Sequence, residues 1–307
     1  MPLPIEELIA DLTNSDTPLS TSRLTELSNL SSKELEYFKN SWPAIELKRQ
    51  HQIMHRLLEL AEDNIELNFD SIFKYCLKDQ DNEVRSKAIE GLWENEEAPL
   101  INPLINLLEQ DSSEKVQAAA ATALGKFALL AEHKKLHSHY ALKIEEALLA
   151  AINNQNKPIE VRRRALEAAA SLNLPRVKSA IMEAYQSRSS KLKISAIHAM
   201  GKSCDPSWLP MLLKELANTD AEVRYEAAGA CGELEEEAAM PHLIKLINDP
   251  DVDVQLAAIQ VLGKVGSAEA KECLKQCLND PSAVISLMAE QALEELKATE
   301  EPFSFPI

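Results

Sequence analysis

Residues 220–266 read DAEVRYEAAGACGELEEEAAMPHLIKLINDPDVDVQLAAIQVLGKVG, a stretch that states one pattern and then states it again. Val223 and Val254 lie 31 residues apart. Each is preceded by an Asp three residues back (Asp220, Asp251) and followed by an Ala four on (Ala227, Ala258) and a Gly nine on (Gly232, Gly263). A repeat of this length holds a pair of helices. One such pair cannot bury its own apolar face, so neighbouring copies must stack and the core runs along the stack.

Working outward, the second helix of each repeat aligns on Val84, Val116, Val161, Leu192, Val223, Val254 and Val284, at intervals of 32, 45, 31, 31, 31 and 30. Four residues beyond these anchors stand Ala88, Ala120, Ala165, Ala196, Ala227 and Ala258, then Met288. A small residue there lets adjacent helices approach closely. Gly125, Gly201, Gly232 and Gly263, nine beyond, read as helix ends or tight turns, where a missing side chain is useful. First helices are expected near 99–109, 208–217, 238–247 and 270–278. The long interval contains an insertion near 132–138 ahead of a longer helix at about 140–152.

Three segments follow. Residues 1–66 form an N-terminal helical cap with a degenerate first repeat: apolar Ile5, Leu8, Ile9 and Leu12, a polar turn cluster, a short helix capped by Ser31-Ser32 and ended by Trp42-Pro43, then a helix over 45–61. Residues 67–298 form the repeat array. Residues 299–307, TEEPFSFPI, form a C-terminal tail, because Pro302 and Pro306 cannot continue a helix.

Composition agrees with helix-on-helix packing: 45% of the 307 residues are hydrophobic but only 5% are aromatic, which predicts almost no strand. The net charge of −17 is uneven, with 20 acidic and 7 basic side chains after residue 204. An acidic surface repels phosphate backbones, so nucleic acid is disfavoured and a neutral or basic partner is favoured. Cys76, Cys204, Cys231, Cys273 and Cys277 form no CxxC and read as free, mostly buried thiols in a reducing compartment. The acidic N-terminus is not a signal peptide, and the most apolar window, 118–131, is too short for a membrane span. The expected location is the cytoplasm.

The pattern DxxVRxxAAxALG, seen here as DNEVRSKAIEGL at 81–92, DAEVRYEAAGACG at 220–232 and DVDVQLAAIQVLG at 251–263, resembles the HEAT-repeat superfamily, in particular its phycobilin-lyase-type HEAT-like repeats, over about residues 68–298. The resemblance implies an all-α fold, a right-handed α-solenoid of about seven or eight helix pairs with the second helices on the concave side. It is specific for fold and nearly silent on function.

Chemistry-bearing clusters were weighed against plainer readings. His51 and His55 have the spacing of a zincin helix, but Gln52 replaces the general-base Glu, which removes that hydrolytic mechanism. His133, His137 and His139 lie in a lysine-containing loop and read as solvated. The sequence contains no His-Glu dipeptide of the kind that holds iron in HEAT-like hydroxylases. No catalytic, cofactor-binding or metal site is assigned. Arg85, Arg162, Lys193 and Arg224 follow their anchors and read as a structural ladder to carboxylates of neighbouring turns, broken at Gln117 and Gln255. Residues 157–202 hold ten basic and three acidic side chains, including Arg162-Arg163-Arg164; self-pairing with acidic neighbours is favoured over an anion site.

A helical wheel on the anchors turns positions two, six and ten beyond them toward the concave groove. Arg163, Ile194, Tyr225 and Leu256 occupy the first of these positions, His198, Gly229 and Gln260 the second. These seven are the candidate partner-binding residues, with Tyr225 as anchor. The favoured function is a non-enzymatic scaffold that receives another protein or peptide in the groove. The alternatives are a phycobilin-lyase-like enzyme or cofactor-handling protein, implied by the resemblance, and a nucleic-acid-binding protein.

Overall fold

A computed structural model describes residues 4–14 and 18–300. Within these residues the chain is all α, with 18 α-helices, short 3-10 turns and no strand. It divides into two compact units, Met1–Ala168 and Ala169–Ile307.

The first unit contains α1 (Pro4–Thr13), α2 (Thr21–Thr25), α3 (Ser32–Ser41), α4 (Leu47–Asp63), α5 (Asp70–Cys76), α6 (Asn82–Gly91), α7 (Ile101–Gln110), α8 (Glu114–Glu132), α9 (Ser138–Asn153) and α10 (Ile159–Ala169), of which only the last residue falls in the second unit. The second helices form an inner row in which α4 packs on α6 and α6 on α8, while α7 packs on α9 in the outer row. The N-terminal helices are tied into this unit. Buried Trp42 donates Nε1–H to Asp79 at 2.7 Å, and buried Arg49 donates to the carbonyls of Leu12 and Asn14 at 3.1 and 3.2 Å.

The second unit contains α11 (Pro175–Tyr185), α12 (Ser190–Lys202), α13 (Leu209–Glu215), α14 (Ala221–Leu234), α15 (Met240–Leu246), α16 (Val252–Val265), α17 (Ala268–Cys277) and α18 (Ala283–Glu300). Its inner row is α12, α14, α16 and α18, each packed on the next. Of the tail expected at 299–307, residues 299 and 300 belong to α18, and 301–307 lie outside the described residues.

Local chemistry starts three of the inner helices, α6, α14 and α16, in the same way. Asp81, Asp220 and Asp251 are N-caps whose carboxylates accept from backbone N–H groups of the first turn, which removes orphan donors and favours the positive helix end. The ladder partners are therefore other carboxylates. Arg85 grips Asp111 with two bonds of 2.7 and 2.8 Å and caps the carbonyls of Asp79 and Gln80. Arg224 repeats the arrangement on Asp249, at 2.7 and 2.6 Å, and on the carbonyls of Asn218 and Thr219. Gln117 and Gln255 do not break the ladder. They donate to the backbone carbonyls of the same Asp111 and Asp249 whose side chains the arginines hold. Lys193 reaches Glu215 at 2.9 Å, whereas Arg162 donates to the Ile152 carbonyl at 2.9 Å.

Two sequence expectations need correction. Gly125 stands in the middle of α8, whereas Gly201, Gly232 and Gly263 lie in the last turns of α12, α14 and α16, and none of the four forms a turn. A Cβ at these positions would lie 3.2 Å from Ala168 Cα, 2.6 Å from Ala230 Cα, 2.7 Å from Val261 Cγ2 and 2.8 Å from Ala292 Cβ, respectively. The glycines are points of close helix approach, and position nine of one repeat meets position seven of the next. That rule also corrects the last register. Ala292 is seven beyond Ile285, which is 4% exposed, while Val284 is 56% exposed. The last anchor is thus Ile285, 31 residues after Val254, and buried Ala289, not Met288, fills the small-residue position.

Candidate functional site

In the repeat anchored on Val84, the position that carries the close-approach glycine in four other repeats is Trp93. Helix α6 stops two residues earlier, at Gly91, where a Cβ would collide with the buried ring of Phe73. An indole cannot enter an inter-helix contact that admits only hydrogen, so the helix ends and Trp93 turns outward, 60% exposed. Trp42 and Trp208, by contrast, are buried.

The turn that presents Trp93 is held from both sides. Lys126 on α8 donates from Nζ to the carbonyls of Leu92, Trp93 and Asn95 at 3.2, 2.6 and 2.5 Å, satisfying the C-terminal end of α6. Burial pulls the Lys126 ammonium below its ordinary pKa, against the opposing pull of Glu96, Asp70 and Glu94. Buried Asn95 donates to Asp70 at 2.5 Å and accepts from the Glu97 N–H at 3.0 Å.

Beside this turn lies a groove of about 1230 Å³, wholly within the first unit. Ile89, Leu92, Leu100, Leu104 and Phe127 give it an apolar floor, and Ala118, Ala119 and Ala123 of α8 supply the small residues that leave it deep. Charged residues line it as well: Glu62 of α4, Glu90 of α6, Glu114, Lys115 and Lys126 of α8, and Glu160 and Arg164 of α10. Ser86 and Ala118, which line it, are members of the series two beyond the anchors, and Glu90 and Thr122 of the series six beyond. None of the seven candidate residues lines this groove.

Arg163 lies in the first unit and is spent on Glu160, at 2.8 Å, and Glu167, at 3.8 Å, with 19% of its side chain exposed. The other six lie in the second unit. Ile194 is buried, 6% exposed, and belongs to the core of α12, not to an open face. His198 Nδ1 is 2.7 Å from Glu226 Oε1. Tyr225 is 47% exposed, Gly229 has open space where a Cβ would go, Leu256 is half-buried and Gln260 is exposed. The structure therefore brings Tyr225 and Leu256 to equivalent positions on α14 and α16, with Ile194 withdrawn.

The remaining clusters take their plainer readings. His51 binds Asp81 at 2.7 Å and His55 approaches Glu59 at 3.3 Å. In the basic band, Arg164 pairs with Glu160 and Glu167, Lys178 with Asp205 at 2.6 Å, and Lys157 caps the Leu108 carbonyl at 2.9 Å. Four of the five cysteines are buried, and Cys204 is exposed. Burial pushes the Cys231 thiol up to about 12. Among the described residues, no group of three or more His, Cys, Asp and Glu could hold a metal ion, and no helix is long and apolar enough to cross a membrane.

Helix pairs repeating every 31 residues, arginine ladders at their turns and close-approach residues between inner helices define an α-solenoid of tandem helical repeats. The chain belongs to the HEAT-repeat family, whose model matches residues 70–137, 145–220 and 209–294. No curated protein matches the sequence. Among solved structures, the CpcE–CpcF complex of phycocyanin lyase from Nostoc sp. PCC7120 is 18% identical, with a TM-score of 0.53 over 74% of this chain and 87% of that one. Yeast importin-beta (Kap95p) is 12% identical with a TM-score of 0.55, and the Kap95:Nup1 complex is 13% identical with a TM-score of 0.54. Each of these two covers 95% of this chain, which spans only 46% of theirs. At these identities the likeness is one of fold.

Proposed function

We propose that this protein is a non-enzymatic scaffold that seats a segment of another protein in the groove of its first unit. The observation that carries the reading is the groove itself, an apolar trough of about 1230 Å³ with a half-exposed indole on its edge. Small-molecule sites occupy roughly 300–1,000 Å³, so this one is long enough for several side chains of a polypeptide. Water released from the floor drives association, and Trp93 supplies the anchor: large, rigid, apolar on its faces and able to donate one hydrogen bond. Solved structures with this fold support the reading, since two of them are complexes, Kap95 with Nup1 and CpcE with CpcF. A carboxylate-bearing bilin, the ligand class of the enzymatic alternative, would meet Glu62 and Glu114, which have no ion-pair partner among the described residues. Mixing the protein with a bilin and recording absorbance separates the two readings.

A photo-crosslinking residue at Thr122, exposed on the groove, should yield a discrete adduct with one polypeptide, identified by mass spectrometry. Trp93→Ala should weaken that partner by about thirty-fold, since truncating a central anchor costs about 2 kcal/mol, while helicity is unchanged. Equal affinity of the folded variant and wild type would refute this seat.

Exposed Tyr225 beside open Gly229 and half-buried Leu256 favours a second, smaller contact on α14 and α16, with Gln260 and the His198–Glu226 pair flanking it. Tyr225→Ala should then weaken the partner in addition to Trp93→Ala; no effect in either background would remove this contact from the reading.

A further inference from the structure

We infer that the groove of the first unit selects an apolar segment bearing Lys or Arg residues, an inference that rests on the groove being a protein-binding seat. All three cations that line it are engaged by the protein itself. Lys115 pairs with Glu83, Lys126 is shared by three backbone carbonyls, and Arg164 bridges Glu160 and Glu167. Of the four lining carboxylates, Glu90 is paired with Lys87 at 2.6 Å and Glu160 with the arginines of α10. Glu62 and Glu114 are exposed and make no ion pair or hydrogen bond among the described residues. Glu94 and Glu96, also exposed, follow Trp93 in the same turn and add to the negative potential at the groove edge. An apolar trough whose cations are all satisfied and whose free charges are all negative discriminates by charge. A lysine or arginine flanking the buried residues gains a carboxylate, and an arginine over the Trp93 face gains a cation–π contact. An acidic segment of equal hydrophobicity meets repulsion from the same carboxylates.

The probes are two blocked fourteen-residue peptides with the same Leu and Ala residues, one carrying Lys and the other Glu at every polar position. Because Trp42 and Trp208 are buried, acrylamide quenching of tryptophan fluorescence reports chiefly on Trp93. The Lys peptide should shield Trp93, with affinity falling as salt rises, and the Glu peptide should bind at least about tenfold more weakly. Glu62→Gln with Glu114→Gln should weaken the Lys peptide by about three- to tenfold, as expected for two exposed ion pairs. Glu222→Gln with Glu269→Gln, the same charge change on exposed residues of the second unit, should leave it unchanged. Binding of both peptides with equal affinity, an unaffected groove variant, or an equal loss in the remote variant would overturn charge selection while leaving the groove as a seat. Failure of both peptides to shield Trp93 at every salt concentration would overturn charge selection and the seat together.

Discussion

Two glycines of the second unit should respond to the same substitution with opposite signs. Gly201 and Gly229 both lie inside inner helices, where alanine is favoured over glycine by about 1 kcal/mol. At Gly229 nothing lies within 4 Å of the added Cβ, so Gly229→Ala should realise that gain. At Gly201 the Cβ would sit 2.6 Å from Ala230 Cα and 2.9 Å from its Cβ, well inside the 3.4 Å at which ordinary contact begins. The obstacle is backbone and cannot rotate away, so α12 and α14 must part. That places the overpacking cost near the upper end of its usual range, about 3 kcal/mol, and leaves a net loss of about 2 kcal/mol. The two variants should differ by about 3 kcal/mol in urea denaturation followed by far-UV circular dichroism. A two-unit repeat chain need not unfold in one step, so hydrogen exchange of the α12 and α14 amides provides a local check. If Gly201→Ala proves as stable as Gly229→Ala, the close approach of α12 and α14 is wrong.

Other perturbations follow from the same packing. Ala227, fully buried in α14, should tolerate no volume: Ala227→Leu should cost about 1–3 kcal/mol and lower the melting temperature. Asp249→Asn breaks a pair whose side chains are 11% and 5% exposed and leaves Arg224 uncompensated, for a loss of about 3 kcal/mol measured by urea titration near neutral pH. The pH dependence has a definite sign. The hydrogen bond from Arg224 holds the Asp249 carboxyl below its ordinary pKa, and the Lys178 hydrogen bond pulls Asp205 down to about 2. Both depressed values contribute stability that is fully present above the unfolded pKa of about 4 and is lost as the pH falls through the folded values. Acid titration should therefore show a decline beginning near pH 4, and Asp249→Asn should remove its own share of that decline.

Much of the fold was legible because its determinants are local and repeat. Asp at the helix start, a buried aliphatic anchor and Ala four residues on recur at a fixed spacing, and a basic residue follows most anchors. Each expresses a requirement met within one repeat or between it and the next. The register failed only at the end of the array, where Val284 and Ile285 are both β-branched and only one can face α16. The partnership with Gly263 through Ala292 decides between them. The ladder was similarly half-legible: the arginines were evident, but the carboxylates they hold, Asp111 and Asp249, lie 26 and 25 residues downstream and were identifiable only once the turns were placed.

The candidate site was less legible. Sequence reasoning sought an exposed apolar series two beyond the anchors and found Ile194, Tyr225 and Leu256, of which Ile194 is buried. The overlooked signal was a departure from the pattern, Trp93 at the position where four other repeats carry glycine. That substitution was visible in the chain, but its consequence was not. Amino-acid order by itself determined the helix pair, the spacing and the inner face, since propensity, capping and periodicity act over a few residues. Only the tertiary structure decided that α6 ends at Gly91 against Phe73, that Lys126 closes the turn behind Trp93, and that Glu62 and Glu114 stay unpaired among the described residues. Each outcome depends on which distant side chain occupies a shared space or holds a shared partner in the folded chain, and neighbours in the chain do not encode that competition.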